Sequence, residues 1–257
     1  MRRILFIGQK PIGEKCFKKL VENQNENYQV IGSVSNISKE DVWWKSNNIY
    51  GYCKRKQLGF VDNEKSNEDR IIELMRKCDV NYIISVGHKW ILSKKILEYV
   101  KYQAVNLHLA KLPEYKGNYT YNHAILNGEK EYGVTLHWMV EKVDEGDYIF
   151  TDQFEITDYD TAYSLYQKSN EIGEKIFDNY IDFLKKDKAI PRREIVGEGK
   201  FYSKCAIQGL REIRNISDKN EIQVKSRAFY FPPFENAYMV IEGKKYYIVP
   251  DNKIDSL

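Results

Sequence analysis

Residues 80–87 read VNYIISVG, an almost unbroken apolar run closed by a glycine. A strand with water on one face alternates apolar and polar side chains, whereas a run of this kind belongs to a parallel strand covered on both faces by helices. The chain on either side fits that arrangement. Upstream it opens with a strand (Arg3 to Ile7), a glycine-bearing loop GQKPIG (8–13) and a helix with apolar positions Ile12, Cys16, Phe17, Leu20 and Val21. A second strand, Gln29 to Val34, leads into a polar stretch around Asn47. An amphipathic helix follows, with Ile71, Ile72, Leu74 and Met75 on its apolar face and Ser66 or Asn67 as its cap. After the decisive run come a helix near Lys94 to Val100 and a strand QAVNLH (103–108). Strand and helix thus alternate over residues 1–108, which predicts an α/β fold with a doubly wound, mostly parallel sheet.

Beyond residue 108 the pattern changes. Gly133 to Met139 and Tyr148 to Ile156 are two strand-like runs separated by VEKVDEGD (140–147), which predicts an antiparallel pair added to the sheet. Tyr163 to Leu184 has helical spacing, and Pro191 marks a break. The rest reads as short strands and turns, including the hairpin MVIEGKKYYIV (239–249) with Glu242-Gly243 at its turn. The expected division is 1–187 as a catalytic domain and 188–257 as a small, β-rich C-terminal region. No internal repeat or low-complexity tract is present.

Composition narrows the class. With 257 residues the chain can bury a generous core without disulfides or structural metals. Its 42% hydrophobic and 30% charged residues exclude a disordered chain, and no apolar run approaches the roughly 20 residues of a membrane helix. Forty cations against 37 anions give +3, too balanced for an evident nucleic-acid surface. Residues 188–257 carry 13 Lys/Arg and 9 Asp/Glu, a local +4 that reads as a solvated face. Cys16, Cys53, Cys78 and Cys205 are scattered, with no zinc or redox spacing. The start MRRILFIG has too short an apolar run for a secretory signal, so cytoplasmic residence is expected.

The loop Gly8 to Gly13 is neither a dinucleotide fingerprint nor a P-loop, and Pro11 removes an amide that a phosphate would use. It serves equally as a tight strand-to-helix turn. Asn106 and His108 lie two apart at the end of a predicted strand, so both side chains leave one face where parallel sheets open onto a ligand crevice. His137 alternates within VTLHWM as a strand residue and His123 lies in a predicted helix; neither has a ligand partner nearby in sequence.

The motifs NLHLAKLPEYKG, GEKEYGVTLHWM and VDEGDYI occur in that order, and on them the chain over roughly 1–185 resembles the formyltransferases that use 10-formyltetrahydrofolate. That family acts on methionyl-tRNA, glycinamide ribonucleotide and nucleotide-linked amino sugars. The resemblance implies a Rossmann-like sheet and a catalytic Asn, His and Asp at Asn106, His108 and Asp144, with Asp147 the nearby rival. Ala110 and Lys111 depart from the Ser-Leu of many members. The pterin of the folate would meet the loop after VNYIISVG, which points to Gly87, His88 and Trp90; a turn glycine and a core tryptophan are the competing explanation.

Amine attack on a formyl carbon places negative charge on oxygen and positive charge on nitrogen. Asn106 suits the oxygen as a donor, and His108 suits either base or cation at neutral pH. Asp144 would orient and charge-pair the imidazole. These groups activate the carbonyl without a metal, so none is expected. The tail RAFYFPPFENAYMVIEGKKYYI (227–248) resembles the C-terminal segment of the sugar-nucleotide branch. That points to an amino-dideoxy sugar on dTDP, UDP or GDP as acceptor, first choice dTDP-4-amino-4,6-dideoxyglucose, for surface polysaccharide such as O-antigen. Phe231, Phe234 and Tyr238 would stack on the base or wall the site, and Lys10 and Lys116 would meet the diphosphate. An edge hairpin packed on the core accounts for the same tail. No nucleic-acid or membrane partner is expected, and the C-terminal hairpin is a candidate homodimer surface. Two alternatives are a methionyl-tRNA formyltransferase, whose usual large basic C-terminal domain has thin support in 70 residues at +4, and a catalytically silent sugar-nucleotide binding protein.

Overall fold

The computed structural model describes residues 1–37, 44 and 48–251, so Asn47 and most of the polar stretch around it lie outside the described residues. Strand and helix alternate as β1 (Arg2–Gly8), α1 (Lys10–Glu22), β2 (Tyr28–Ser35), α2 (Asn48–Lys56), β3 (Gly59–Asp62), α3 (Glu68–Lys77), β4 (Tyr82–Val86), α4 (Lys94–Tyr99) and β5 (Ala104–His108). There follow β6 (Tyr115–Gly117), α5 (Thr120–Leu126), β7 (Glu131–Trp138), β8 (Tyr148–Glu155), α6 (Ala162–Lys185), β9 (Lys200–Tyr202), α7 (Lys219–Phe229), β10 (Ala237–Ile241) and β11 (Lys244–Ile248).

One seven-stranded sheet has the order β3-β2-β1-β4-β5-β7-β8. The strands from β3 to β5 run parallel, and β7 is antiparallel to β5. The chain winds outward from β1 to β3 and then returns past β1 to β4, so the switch point lies between β1 and β4, where such sheets open a ligand crevice at their strand ends. All five residues of β4 are buried, as the run VNYIISVG demands. Among the described residues no helix is long and apolar enough to cross a membrane.

The chain forms two compact units. The first comprises Met1–His108, Thr135–Thr151 and Ile172–Val196. Its core joins Leu5, Ile7 and Ile83 of the sheet to Met75, Ile96 and Leu97 of the helices. Ser93 caps α4 by accepting from the Ile96 amide. The loop expected over 8–13 is shorter than its glycines suggest, because α1 already begins at Lys10. Pro11 sits in its first turn, where a missing N–H costs no helical hydrogen bond.

The second unit comprises Leu109–Val134, Asp152–Glu171 and Gly197–Leu257. Its core includes Tyr115, Tyr132, Leu165, Tyr202 and Phe229, and the Tyr115 and Tyr202 rings stack with centroids 5.6 Å apart. The hairpin β10–β11 turns on Glu242 and Gly243, both at positive φ (49° and 77°), as a two-residue turn of matching twist requires. The tail also contains α7, where the sequence reading had only short strands and turns. Asp218 caps it by accepting from the amides of Asn220 and Glu221, and Ser226, Ala228 and Phe229 are buried on it.

Candidate active site

Asn106 and His108 end β5, and the register with β7 sets Asn106 opposite His137 and His108 opposite Thr135. Directly opposed residues of an antiparallel pair leave the same face, so two side chains from NLH meet two from TLH. The Asn106 Nδ2 lies 3.2 Å from His137 Nε2. The other ring nitrogen of His137, Nδ1, lies 2.8 Å from the Trp138 carbonyl oxygen and donates to it. The His108 and His137 rings stand nearly perpendicular, at 88°, with centroids 6.4 Å apart.

Asp144 reaches these imidazoles from the loop after β7. The Trp138 amide donates to the Asp147 carbonyl at 2.8 Å, folding the loop back on its own strand. Gly146 permits that approach, because a Cβ there would collide with the Trp138 carbonyl. Asp144 itself has φ 56°, a left-handed conformation that aspartate tolerates better than most residues. Its Oδ1 is 3.4 Å from His137 Nε2 and its Oδ2 is 3.7 Å from His108 Nδ1. No imidazole pairs with Asp147 among the described residues. The side chains of His108, Asp144 and His137 are only 12%, 9% and 3% exposed, so bulk salt screens their mutual interactions weakly. The arrangement offers an amide donor, an imidazole able to take or hold a proton, and a carboxylate that favours the imidazolium.

His137 therefore differs from its sequence reading as a strand residue without a partner. It is a strand residue, and it faces both Asn106 and Asp144. The missing signal was the pairing of β5 with β7, since the alternation in TLH gives a face and no register.

The ends of β1, β4 and β5 lie side by side, with Gly8 opposite Val86 and Val86 opposite Leu107. Gly87, directly after β4, has φ 64°, and a Cβ there would stand 2.9 Å from the Gln9 carbonyl oxygen. Its neighbour His88 keeps a buried Nδ1 with no hydrogen-bond partner among the described residues, and burial lowers the imidazole to about 4, so it is neutral at pH 7. Trp90 donates Nε1 to the Asn63 carbonyl at 3.4 Å, and the Lys89 ammonium sits 4.7 Å from its ring centroid. Lys10, at φ 68°, opens α1 half-buried, and desolvation lowers its ammonium from the ordinary value. These four residues stand in the first unit with Asn106, His108 and Asp144.

Lys116, Phe231, Phe234 and Tyr238 belong to the second unit. Lys116 is buried and donates to the Glu198 carbonyl at 2.8 Å. Phe231 packs between Tyr163 and Tyr166, at 5.3 and 5.4 Å, and contacts the half-exposed Phe234 at 5.8 Å. Tyr238 lies in β10 with the Lys245 ammonium 4.0 Å from its ring centroid. Helix α5 carries His123, stacked on Tyr202 at 4.0 Å; its buried Nε2 has no partner among the described residues.

A GDP-perosamine N-formyltransferase of Brucella melitensis biotype 1 is 30% identical over 186 residues, covering 71% of this chain and 70% of that one. A methionyl-tRNA formyltransferase of Clostridium tetani is 37% identical over 141 residues, 54% of this chain and 46% of that one. The chain spans about half the length of the first curated relatives that it matches, from 46% to 59%. The fold matches a 4-N formyltransferase from Francisella tularensis with a TM-score of 0.78 and 21% identity, over 96% of each chain. It also matches the N-formyltransferase from Helicobacter canadensis in complex with folinic acid and dTDP-3-aminofucose, with a TM-score of 0.73 and 22% identity, over 95% of this chain and 86% of that one. The model of the formyl transferase family matches residues 2–181, a span that holds β1 to β5, Asn106, His108 and Asp144, and the chain belongs to that family.

Proposed function

We propose that this protein transfers a formyl group from 10-formyltetrahydrofolate to the amine of a nucleotide-linked amino-dideoxy sugar. The observation that carries the proposal is the meeting of Asn106 and His108, on one face of β5, with the loop residue Asp144, all partly buried, in a chain 30% identical to a GDP-perosamine N-formyltransferase. Asn106 donates an Nδ2 proton to the formyl oxygen as negative charge builds there. His108 takes the proton from the attacking amine or stands beside the oxyanion as a cation, and Asp144 holds its ring and stabilises its charge. The small exposure of the His108 and Asp144 side chains, 12% and 9%, limits competition from bulk water for their interaction.

The loop after β4 suits the pterin of the donor. Gly87 brings backbone close to the strand end, and the unpartnered Nδ1 of neutral His88 needs a hydrogen-bonding partner, with Trp90 as a wall. Lys10 and Lys116 are assigned to the diphosphate, and Phe231, Phe234 and Tyr238 to the nucleoside. Residues 1–187 carry the transfer in this reading. The favoured acceptor is dTDP-4-amino-4,6-dideoxyglucose, whose formylated product would feed a surface polysaccharide such as O-antigen. The enzyme would act in the cytoplasm, with the C-terminal hairpin as a homodimer surface.

The match at 37% identity over 141 residues to a methionyl-tRNA formyltransferase supports a second reading, formylation of charged initiator tRNA. One experiment separates the two. The purified protein is incubated with 10-formyltetrahydrofolate and, in parallel, with dTDP-, UDP- and GDP-linked 3- and 4-amino sugars and with methionyl initiator tRNA, and products are weighed by mass spectrometry. A formylated sugar nucleotide supports the proposal. Formylated tRNA with steep salt dependence replaces it.

A further inference from the structure

We infer that His137 is a positioning residue that sets which end of the Asn106 amide points at the formyl oxygen. The inference rests on the reading of Asn106 as the oxyanion donor. Its starting point is the Trp138 carbonyl, whose place is fixed from several sides. The Trp138 amide donates to Asp147 at 2.8 Å, its indole donates to the Pro191 carbonyl at 2.9 Å, and the Arg192 guanidinium lies 3.8 Å from its ring centroid. His137 Nδ1 donates to that carbonyl at 2.8 Å and so carries a proton. In the neutral ring Nε2 is then bare and can only accept.

Asn106 faces this bare nitrogen at 3.2 Å across the strand pair. With Nδ2 toward it, one amide proton is engaged by His137 and the second is left for an oxyanion. With the amide turned over, Oδ1 would set its lone pairs against those of Nε2, and the donor would be lost from its place. The two ends of an asparagine amide are told apart by their hydrogen-bond partners. The Asp144 Oδ1, at 3.4 Å from the same Nε2, is the rival partner, and it would need a proton on Nε2. His137 is 3% exposed, so bulk water does not compete for this nitrogen.

Two measurements test this, and the first does not depend on activity. In alkaline buffer a long-range proton–nitrogen spectrum of the wild-type protein should show His137 protonated at Nδ1 and bare at Nε2, with the Asn106 side-chain protons shifted and protected. A proton on Nε2 would overturn the inference and make His137 a partner of Asp144. The second is a double-mutant cycle on formyl transfer. His137→Leu should lower kcat about 10- to 100-fold with little change in KM, less than the ~10²–10³-fold expected from deleting an oxyanion donor. His137→Gln, which offers an acceptor oxygen, should restore most of it. Adding His137→Leu to Asn106→Ala should cost nothing further, and additive losses would overturn the inference. If no amine is formylated at all, the proposed function fails while the spectrum still decides the tautomer.

Discussion

Asn106 and His137 occupy opposed positions on two antiparallel strands, and their side chains meet through Nδ2 and Nε2 at 3.2 Å. The direction of the Asn106 amide thereby becomes a property of strand register. Asp144, brought back by a loop folded onto the same strand, faces both His137 and His108. A parallel strand, β5, and its one antiparallel neighbour build the site between them.

Asp144→Asn keeps the shape of the side chain and its tolerance of φ 56°, and removes the charge. Turnover should fall by about 10²-fold or more, because the imidazolium of His108 loses its counter-charge while the fold keeps its stability. Steady-state rates with parallel thermal melts check this. Wild-type turnover in a folded variant would remove Asp144 from the mechanism.

Gly87→Ala should destabilise the protein by about 1–3 kcal/mol, since its φ of 64° disfavours a side chain and the new Cβ would press on the Gln9 carbonyl oxygen at 2.9 Å. Urea unfolding reads the change directly. The same variant should raise KM for the formyl donor if the loop after β4 holds the pterin, and a donor KM equal to that of wild type would argue against that placement.

His88 and His123 are both lowered to about 4 by burial, whereas an imidazole in the unfolded chain titrates near ~6.5. Between those values the unfolded state binds more protons than the folded one, so stability rises with pH and falls as pH drops from about 6.5 toward 4. Each group contributes a slope of up to ~1.4 kcal/mol per pH unit. The urea midpoint should therefore fall between about pH 7 and pH 5, and His123→Phe should flatten the decline. A midpoint that does not move over that range would contradict the burial of these rings.

In the second unit, Arg227 donates to the carbonyls of Thr157 and Asp160 at 3.0 and 3.3 Å. Arg227→Ala removes two hydrogen bonds from a charged donor, leaving the Thr157 carbonyl with the Asp160 amide alone, and should cost about 1–3 kcal/mol by urea unfolding. A loss below measurement error would mean that water replaces the guanidinium.

The parallel part of the sheet was legible because its signals are local. VNYIISVG announces β4 by composition alone, and the spacing of Asn106 and His108 announces a shared face at a strand end. His137 was not legible, because its role depends on which residue of β5 lies opposite, and register is fixed by non-local packing. Helix α7 also carries a local signal. Asp218 followed three residues later by Glu221 has the spacing of a helix start, although Glu221 accepts from the amides of Arg214 and Asn215 and not from that of the cap residue. Asp144 was preferred to Asp147 from resemblance, and its approach to the imidazoles is a matter of the loop backbone at Gly146, which no side-chain pattern encodes.

The most direct test is the rate of formyl transfer from 10-formyltetrahydrofolate to the best amino-sugar nucleotide of the panel, measured for wild type, His108→Ala and Asn106→Ala. Each variant should remain folded and lose roughly 10²–10⁴-fold in turnover. Folded variants with rates near wild type would contradict the assignment of the reaction to this site.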